Sequence, residues 1–85
     1  MKLFEPFDGE LEICSSGKNI QLKSKIPIPR CWIKVSDSTG KIVFKKIEVD
    51  LTETTISLNV KGGIYHVTLV TENRFATKEV FLGCN

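Results

Sequence analysis

The sequence predicts an all-β protein built as an antiparallel β-sandwich. Apolar and polar residues alternate along most of the chain, and no segment shows the period of an amphipathic helix. Turn-forming residues such as Asp8-Gly9, Ser15-Ser16-Gly17 and Gly62-Gly63 separate the alternating segments. Strand-sized segments that recur about every ten residues between turns are typical of a sandwich or barrel. The natural count is about seven strands, which favours an immunoglobulin-like sandwich.

Alternation within each segment also predicts which side chains face the core. The segment "CWIKVSD" is expected to direct Cys31, Ile33 and Val35 inward and to leave Trp32 and Lys34 outward. The other expected core residues are Leu11, Ile13, Ile20, Leu22, Ile56, Leu58, Val60, Tyr65, Val67, Leu69, Ala76, Val80 and Leu82.

Two places interrupt this pattern. In "KIVFKKIEV", Ile42 and Phe44 share one parity while Ile47 and Val49 share the other, which predicts a bulge or an edge position at Lys45-Lys46. The proline-rich residues 26–30 cannot lie inside a central strand, because proline lacks the N–H that a ladder needs. We expect this segment to carry the chain from one sheet to the other.

Length and composition limit the possible functions. The 85 residues are expected to form one domain, 1–85, and a hydrophobic content of 41% with 26% charged residues argues against disorder. A net charge of +2 is too balanced to indicate nucleic acid or an acidic membrane as the partner. No apolar run approaches the roughly 20 residues of a membrane-spanning helix.

Cysteine and histidine are sparse. The sequence has three cysteines, Cys14, Cys31 and Cys84, but no C-x-x-C motif, and His66 is its single histidine, so the usual zinc spacings are absent. Small buried thiols are the simplest interpretation, with a Cys14–Cys84 disulfide left open. The antibody pattern of two cysteines around a tryptophan fails, because Leu82 stands where a tyrosine should precede the second cysteine.

The segment "DSTGK" at residues 37–41 has the residue types of a phosphate loop or a catalytic aspartate, but not their spacing. A P-loop needs an earlier glycine and a following Ser or Thr, whereas Ile42 follows Lys41. An aspartic protease needs Asp directly before Thr-Gly or Ser-Gly, and here one residue intervenes. We therefore interpret Asp37 and Gly40 as residues of a β-hairpin turn.

Other candidate sites also favour structural roles. His66 has no neighbouring Cys or His and no nucleophile elbow accompanies it, so we predict no catalytic residues, no metal site and no cofactor. Glu48, Asp50 and Glu53 lack the spacing of a calcium loop and are interpreted as a solvated face. Trp32, with the Lys34 stem packed over its ring, remains a possible ligand-binding pair for a glycan or a protein.

From Ile33 onward the chain resembles two related groups of secreted β-sandwich modules from Bacteroidetes. One is the C-terminal sorting domain of type IX secretion cargo; the other comprises small stand-alone secreted proteins of gut Bacteroides whose function is uncharacterised. The matching features are an Asp-x-x-Gly turn between two strands, a short strand, a Gly-x-Tyr strand opening and a last strand with basic character. The residues that carry them are Asp37, Gly40, Ile56, Leu58, Gly63, Tyr65 and Lys78.

The sequence departs from the sorting domain in lacking its Asn-Pro pair and its lysine-rich end, and it has no room for cargo. The stand-alone group therefore fits better, and it implies a secreted, periplasmic or cell-surface protein whose signal peptide has been removed. We expect a non-enzymatic interaction or surface-attachment module, which binds a protein or glycan and could form homo-oligomers through an edge strand. A carbohydrate-binding module using Trp32 and a type IX sorting domain are the alternatives.

Overall fold

A computed structural model describes residues 5–6, 11–72 and 74–83, and it describes residues 5–6 by their backbone alone. Within these ranges every regular element is a β-strand and no helix occurs. The strands are β1 (Glu5–Pro6), β2 (Leu11–Ser16), β3 (Asn19–Asp37), β4 (Ile42–Ser57), β5 (Gly63–Val70) and β6 (Arg74–Leu82). The predicted all-β class is confirmed.

The long β3–β4 hairpin organises the fold. β4 pairs along one edge of β3, while the other edge pairs first with β2, at residues 19–24, and then with β5, at residues 32–37. β6 continues the sheet beyond β5, and these pairings are all antiparallel. The two-residue β1 is the exception, because it runs parallel to β6. The predicted antiparallel sheet is confirmed for the long strands.

The described strands form a half-barrel with five long strands rather than a clear seven-strand sandwich. The predicted count is two too high. The segment containing Pro27 and Pro29 lies within β3 and does not separate two strands, and β4 continues through Ile56, where a separate short strand was expected. The register between β3 and β4 shifts there, from the Lys23–Glu53 pair to the Ile28–Leu51 pair. Pro27 thus falls in a bulged stretch where no ladder N–H is required, and the strand bends.

A second bulge corrects the prediction for β4. Val35 pairs with Phe44 and Ser36 pairs with Ile42, so Val43 is the extra residue. Ile42 and Phe44 consequently lie on opposite faces, and the phase change is not at Lys45-Lys46, which pairs regularly with β3. The edge alternative fits, since among the described residues β4 pairs with β3 alone.

The core lies on the concave face of the sheet. Ile33 and Val35 of β3 pair with Leu69 and Val67 of β5, and all four side chains are fully buried. Apolar residues of β2, β4 and β6 complete one cluster: Ile13, Ile56, Leu58, Val80 and Leu82. Burial of these aliphatic groups is the main favourable term in folding.

Single hydrogen bonds, rather than a ladder, join β2 to β6 on the open side of the half-barrel. Lys78 Nζ donates to the Ile13 carbonyl at 2.6 Å, and Ser15 Oγ donates to the Phe81 carbonyl at 3.1 Å. Beyond the strand ends, the Gly83 N–H donates to the Gly17 carbonyl at 2.9 Å. Lys78 therefore has a structural role, because its ammonium joins β6 to a backbone carbonyl of β2.

The turn between β3 and β4 is built around the Asp37 carboxylate. Asp37 Oδ1 accepts from Thr39 N at 2.9 Å, Thr39 Oγ1 at 2.6 Å and Lys41 N at 3.0 Å. Gly40 donates its N–H to the Asp37 carbonyl and has a φ of 92°, a conformation that L side chains rarely adopt. These bonds, above all the one from the Thr39 hydroxyl, lower the pKa of Asp37.

Acidification is expected to remove the stabilising effect of Asp37. Because its pKa is lower in the folded chain than in the unfolded one, its contribution is complete above about pH 4 and is lost as the pH falls through the folded pKa. Asp37→Ala should therefore lower the melting temperature at pH 7, and the gap to the parent chain should close in strong acid. Thermal denaturation at both pH values tests this, with Ser38→Ala as the control; an unchanged gap in acid would contradict the assignment.

Candidate functional site

Trp32 lines a cleft at the end of the sheet where β3 bends. The cleft has a volume of about 310 Å³ and is lined by Ile28, Pro29, Arg30, Trp32, Thr71, Glu72 and Arg74. The turn after β5 forms one wall, and it is fixed by hydrogen bonds in both directions between Thr71 and Arg74. The cleft therefore combines an aromatic wall with two guanidinium groups and one carboxylate.

Arg30 places a cation over the Trp32 ring. The Arg30 guanidinium carbon lies 5.5 Å from the centroid of the indole ring, within the range of a cation–π interaction. Lys34 lies two pairs further along the sheet, between Lys45 and Thr68. Alternation alone missed Arg30, because residues 30 and 34 both lie on the outer face and the sequence does not say which of them reaches Trp32; the packing of the Lys34 stem stays a prediction.

An apolar row crosses the outer face of the sheet through Trp32. In the strand register Trp32 is paired with Ile47 of β4 and Val70 of β5, and Val70 is paired with Phe75 of β6. Ile47 is 48% exposed and Phe75 40% exposed. We call these four residues the outer row. Sequence spacing could not reveal it, because the alignment depends on the register of four strands.

The same face brings Ser36, His66 and Glu79 side by side. His66 is paired with Ser36 on β3 and with Glu79 on β6. No hydrogen bond joins these three side chains in the structure. Ser36, His66 and Glu79 are therefore three polar side chains next to one another on the surface of the sheet.

Two acidic residues of β4 contact a nearby polar group. Glu48 forms an ion pair with Lys46 at 2.8 Å, and Glu53 accepts a hydrogen bond from the Gln21 amide at 3.1 Å. Asp50 has a φ of 52°, which interrupts the regular geometry of β4 at that point. In the parts of the chain that the structure describes, no cluster of His, Cys, Asp or Glu could hold a metal ion.

The two described cysteines are free thiols in opposite environments. Cys14 is exposed on β2, while Cys31 is fully buried in the core. Burial, followed by the nearby charge of Glu48, raises the pKa of Cys31 and disfavours its thiolate. Cys84 lies outside the described residues.

Alkylation should therefore distinguish Cys14 from Cys31. In the native protein at pH 7 we expect iodoacetamide to modify Cys14 readily and to leave Cys31 unmodified until the chain is denatured, because a buried neutral thiol is a poor nucleophile. Peptide mass spectrometry gives the extent at each site, in a Cys84→Ser background that removes the third thiol. Equal rates at the two sites without denaturant would contradict the buried position of Cys31.

Gly63 and Tyr65 shape the start of β5. Gly63 has a φ of 153°, and the Tyr65 ring is buried at 6% exposure with its hydroxyl donating to the Lys61 carbonyl. This bond ties the loop before β5 to the core. Both residues therefore have structural roles at this end of the sheet, where they line a shallow depression with Asp37 and Thr39.

No helix in the described part of the chain is long and apolar enough to cross a membrane. The fold defines a small β-sheet module with a buried aliphatic core and tight turns, whose open side is bridged by side-chain hydrogen bonds between β2 and β6.

Comparison with protein families identifies the module. Residues 6–82 match the model of the secretion system C-terminal sorting domain, and the chain belongs to this family. A search of curated proteins finds no match. The match supports the predicted relation to the type IX sorting domain and favours that alternative over the stand-alone secreted group. A sorting domain is a non-catalytic signal, in agreement with the expectation that the chain is not an enzyme, and it implies a secreted or cell-surface protein.

Proposed function

We propose that this chain is the export signal of a secreted bacterial protein and directs that protein through the type IX secretion system. The supporting observation is the family match, which spans 77 residues, from 6 to 82, and so includes all of β2 to β6. Recognition would use the surface of the folded half-barrel, since the described residues contain no catalytic arrangement to act on a substrate. Loop tips and sheet edges are the parts free to contact an export machine.

Transplanting the chain to a reporter tests the proposal. The chain is fused to the C-terminus of a folded reporter that carries a signal peptide, in a Bacteroidetes host with an intact type IX system. We expect the reporter at the cell surface or in the medium, and we expect it to remain in the periplasm when the system is deleted. Periplasmic retention in the intact host would overturn the proposal.

A matched pair of variants tests whether export requires the folded module or only its peptide sequence. Leu69→Asp places a charge in the fully buried core and should unfold the module, whereas Thr68→Asp changes the adjacent outward residue. If the folded surface is the signal, the first variant should abolish export and the second should largely preserve it. Export by the Leu69→Asp fusion would show that an unfolded peptide suffices.

We further infer that the half-barrel belongs to the immunoglobulin-like sandwich folds. Its support is the strand order, in which one long hairpin pairs with β2 at one end and with β5 at the other. The Tyr65 hydroxyl bonded to a backbone carbonyl four residues upstream is similar to the tyrosine corner of such sandwiches. An experimental structure showing two packed sheets would support this proposal, and a single open sheet would oppose it.

Ligand binding at the Trp32 cleft is a second candidate role. Its support is the 310 Å³ volume beside a partly buried indole. Arg30 covers part of the ring and adds a positive charge, which favours an acidic sugar over a neutral one. Glycan-array binding that is lost in Trp32→Ala and kept in Lys34→Ala would support this role; an array without hits would dismiss it.

A further inference from the structure

The free edge of β4 has an arrangement that matches a second copy of itself. The regular part of this strand covers residues 44–49, because the bulge at Val43 precedes it and the positive φ of Asp50 follows it. Among the described residues β4 pairs with β3 alone, so its second edge has unpaired backbone groups. Such an edge is a template for another strand.

Exposed apolar residues mark this edge on the outer face. Ile47 is 48% exposed and Val49 64% exposed, so two apolar side chains two residues apart on the same face are open to solvent beside the free edge. On the opposite face the same segment carries Lys46 and Glu48, which are 52% and 21% exposed. The edge therefore has an apolar side and a side with one charge of each sign.

The order Lys46-Ile47-Glu48 is self-complementary in charge. If two β4 strands pair antiparallel about a two-fold axis at Ile47, then residue 46 of one copy faces residue 48 of the other. Both Lys46 side chains then face a Glu48 side chain of the other copy. Together with the Lys46–Glu48 ion pair within each chain, at 2.8 Å, these contacts form a square of alternating charges.

The outer row would become continuous in this arrangement. Ile47 is the last residue of the row formed with Trp32, Val70 and Phe75, and it would meet Ile47 of the other copy on the axis. Val49 would face the aliphatic stem of Lys45. Apolar surface that is exposed on one chain would be covered by the same surface of another.

We propose that this protein forms a two-fold symmetric dimer by antiparallel pairing of residues 45–49 of β4, with Ile47 on the axis. The partner is a second copy of this chain, because an antiparallel copy of Lys46-Ile47-Glu48 places an opposite charge across from each of the two residues that flank the axis. The dimer stands apart from the sorting function and does not depend on it.

Charge reversal tests the partner and the register together. The folded chain is studied by sedimentation equilibrium under reducing conditions, at concentrations from about 1 μM to 1 mM. The parent chain should show a concentration-dependent dimer. Lys46→Glu and Glu48→Lys should each weaken it about tenfold or more, because each places two like-charged pairs across the axis.

Combining the two reversals should restore the dimer, since the pairs are again of opposite charge. A register shifted by one residue, with Glu48 on the axis, would pair residue 46 with Asp50 and would not be rescued. Ile47→Lys should abolish the dimer, whereas the control Ile26→Lys, at a 44% exposed site on β3, should not. Circular dichroism verifies that every variant is folded.

The proposal is overturned if the parent chain is monomeric at 1 mM. It is equally overturned if the double reversal stays monomeric while both single reversals weaken association, or if Ile26→Lys disrupts the dimer and Ile47→Lys does not.

Discussion

Replacing Leu69 with Ala is expected to lower the free energy of unfolding by about 2–5 kcal/mol. Leu69 is fully buried on β5 and lies between Ile33 of β3 and Ala76 of β6 in the strand register. Truncation removes three carbon atoms from the centre of the core, and the flanking strands cannot move together without breaking their ladders. A domain of this length has a total stability of roughly 4–13 kcal/mol, so the variant should lose a large part of it.

Urea denaturation measures this effect as a lower midpoint with a similar slope. Thr68→Ala is the matched control, because Thr68 is the preceding residue on the same strand and lies on the outer face. Its hydroxyl is 3.4 Å from that of Thr77, a long contact, and its removal should cost less than about 1 kcal/mol. Comparable losses in the two variants would mean that the inner and outer faces of β5 are assigned wrongly.

The second large effect is expected at Tyr65. Tyr65→Ala should cost about 3–5 kcal/mol, because it removes a buried ring together with the hydroxyl that binds the Lys61 carbonyl. Tyr65→Phe keeps the ring and removes the hydrogen bond alone, and it should cost about 1 kcal/mol. The difference between the variants separates packing from the bond to the loop.

Chemical denaturation of both variants gives the two free energies. Ile64→Ala serves as the control, since Ile64 is adjacent on β5 but exposed on the outer face. Hydrogen exchange of the loop amides should increase in Tyr65→Phe even where the global stability changes little. If Tyr65→Phe were as damaging as Tyr65→Ala, the hydroxyl and not the ring would be the main stabilising group.

The predictions from sequence were correct where the direction of a side chain depends only on residues nearby in the chain. Alternation in "CWIKVSD" predicted that Cys31, Ile33 and Val35 are buried, and all three are. A period-two pattern in the sequence becomes a pattern of burial in the sheet, because neighbouring side chains on a strand must point to opposite faces. The same local rule identified the all-β class before any strand pairing was known.

Predictions that required pairing between distant segments were less successful. The strand count was too high for two reasons. Residues 26–30 bend β3 without ending it, since a bulge can keep prolines within a paired strand, and β4 runs on through the expected short strand at Ile56. The faces of Ile42 and Phe44 were misassigned because the extra residue is Val43, a position that no turn residue marks. The preference for a stand-alone protein used chain length as evidence, and the family match favours the sorting domain.

The sequence by itself determined the class of fold, the main buried residues and the resemblance to secretion modules, because these follow from local alternation and turn chemistry. Tertiary structure alone decided that Arg30 covers Trp32, that Ile47 continues the outer row, and that Lys78 joins β6 to β2. Each of these contacts joins strands whose relative register is set by the whole sheet. A shift of one residue in any ladder would separate them, and no short stretch of sequence specifies that alignment.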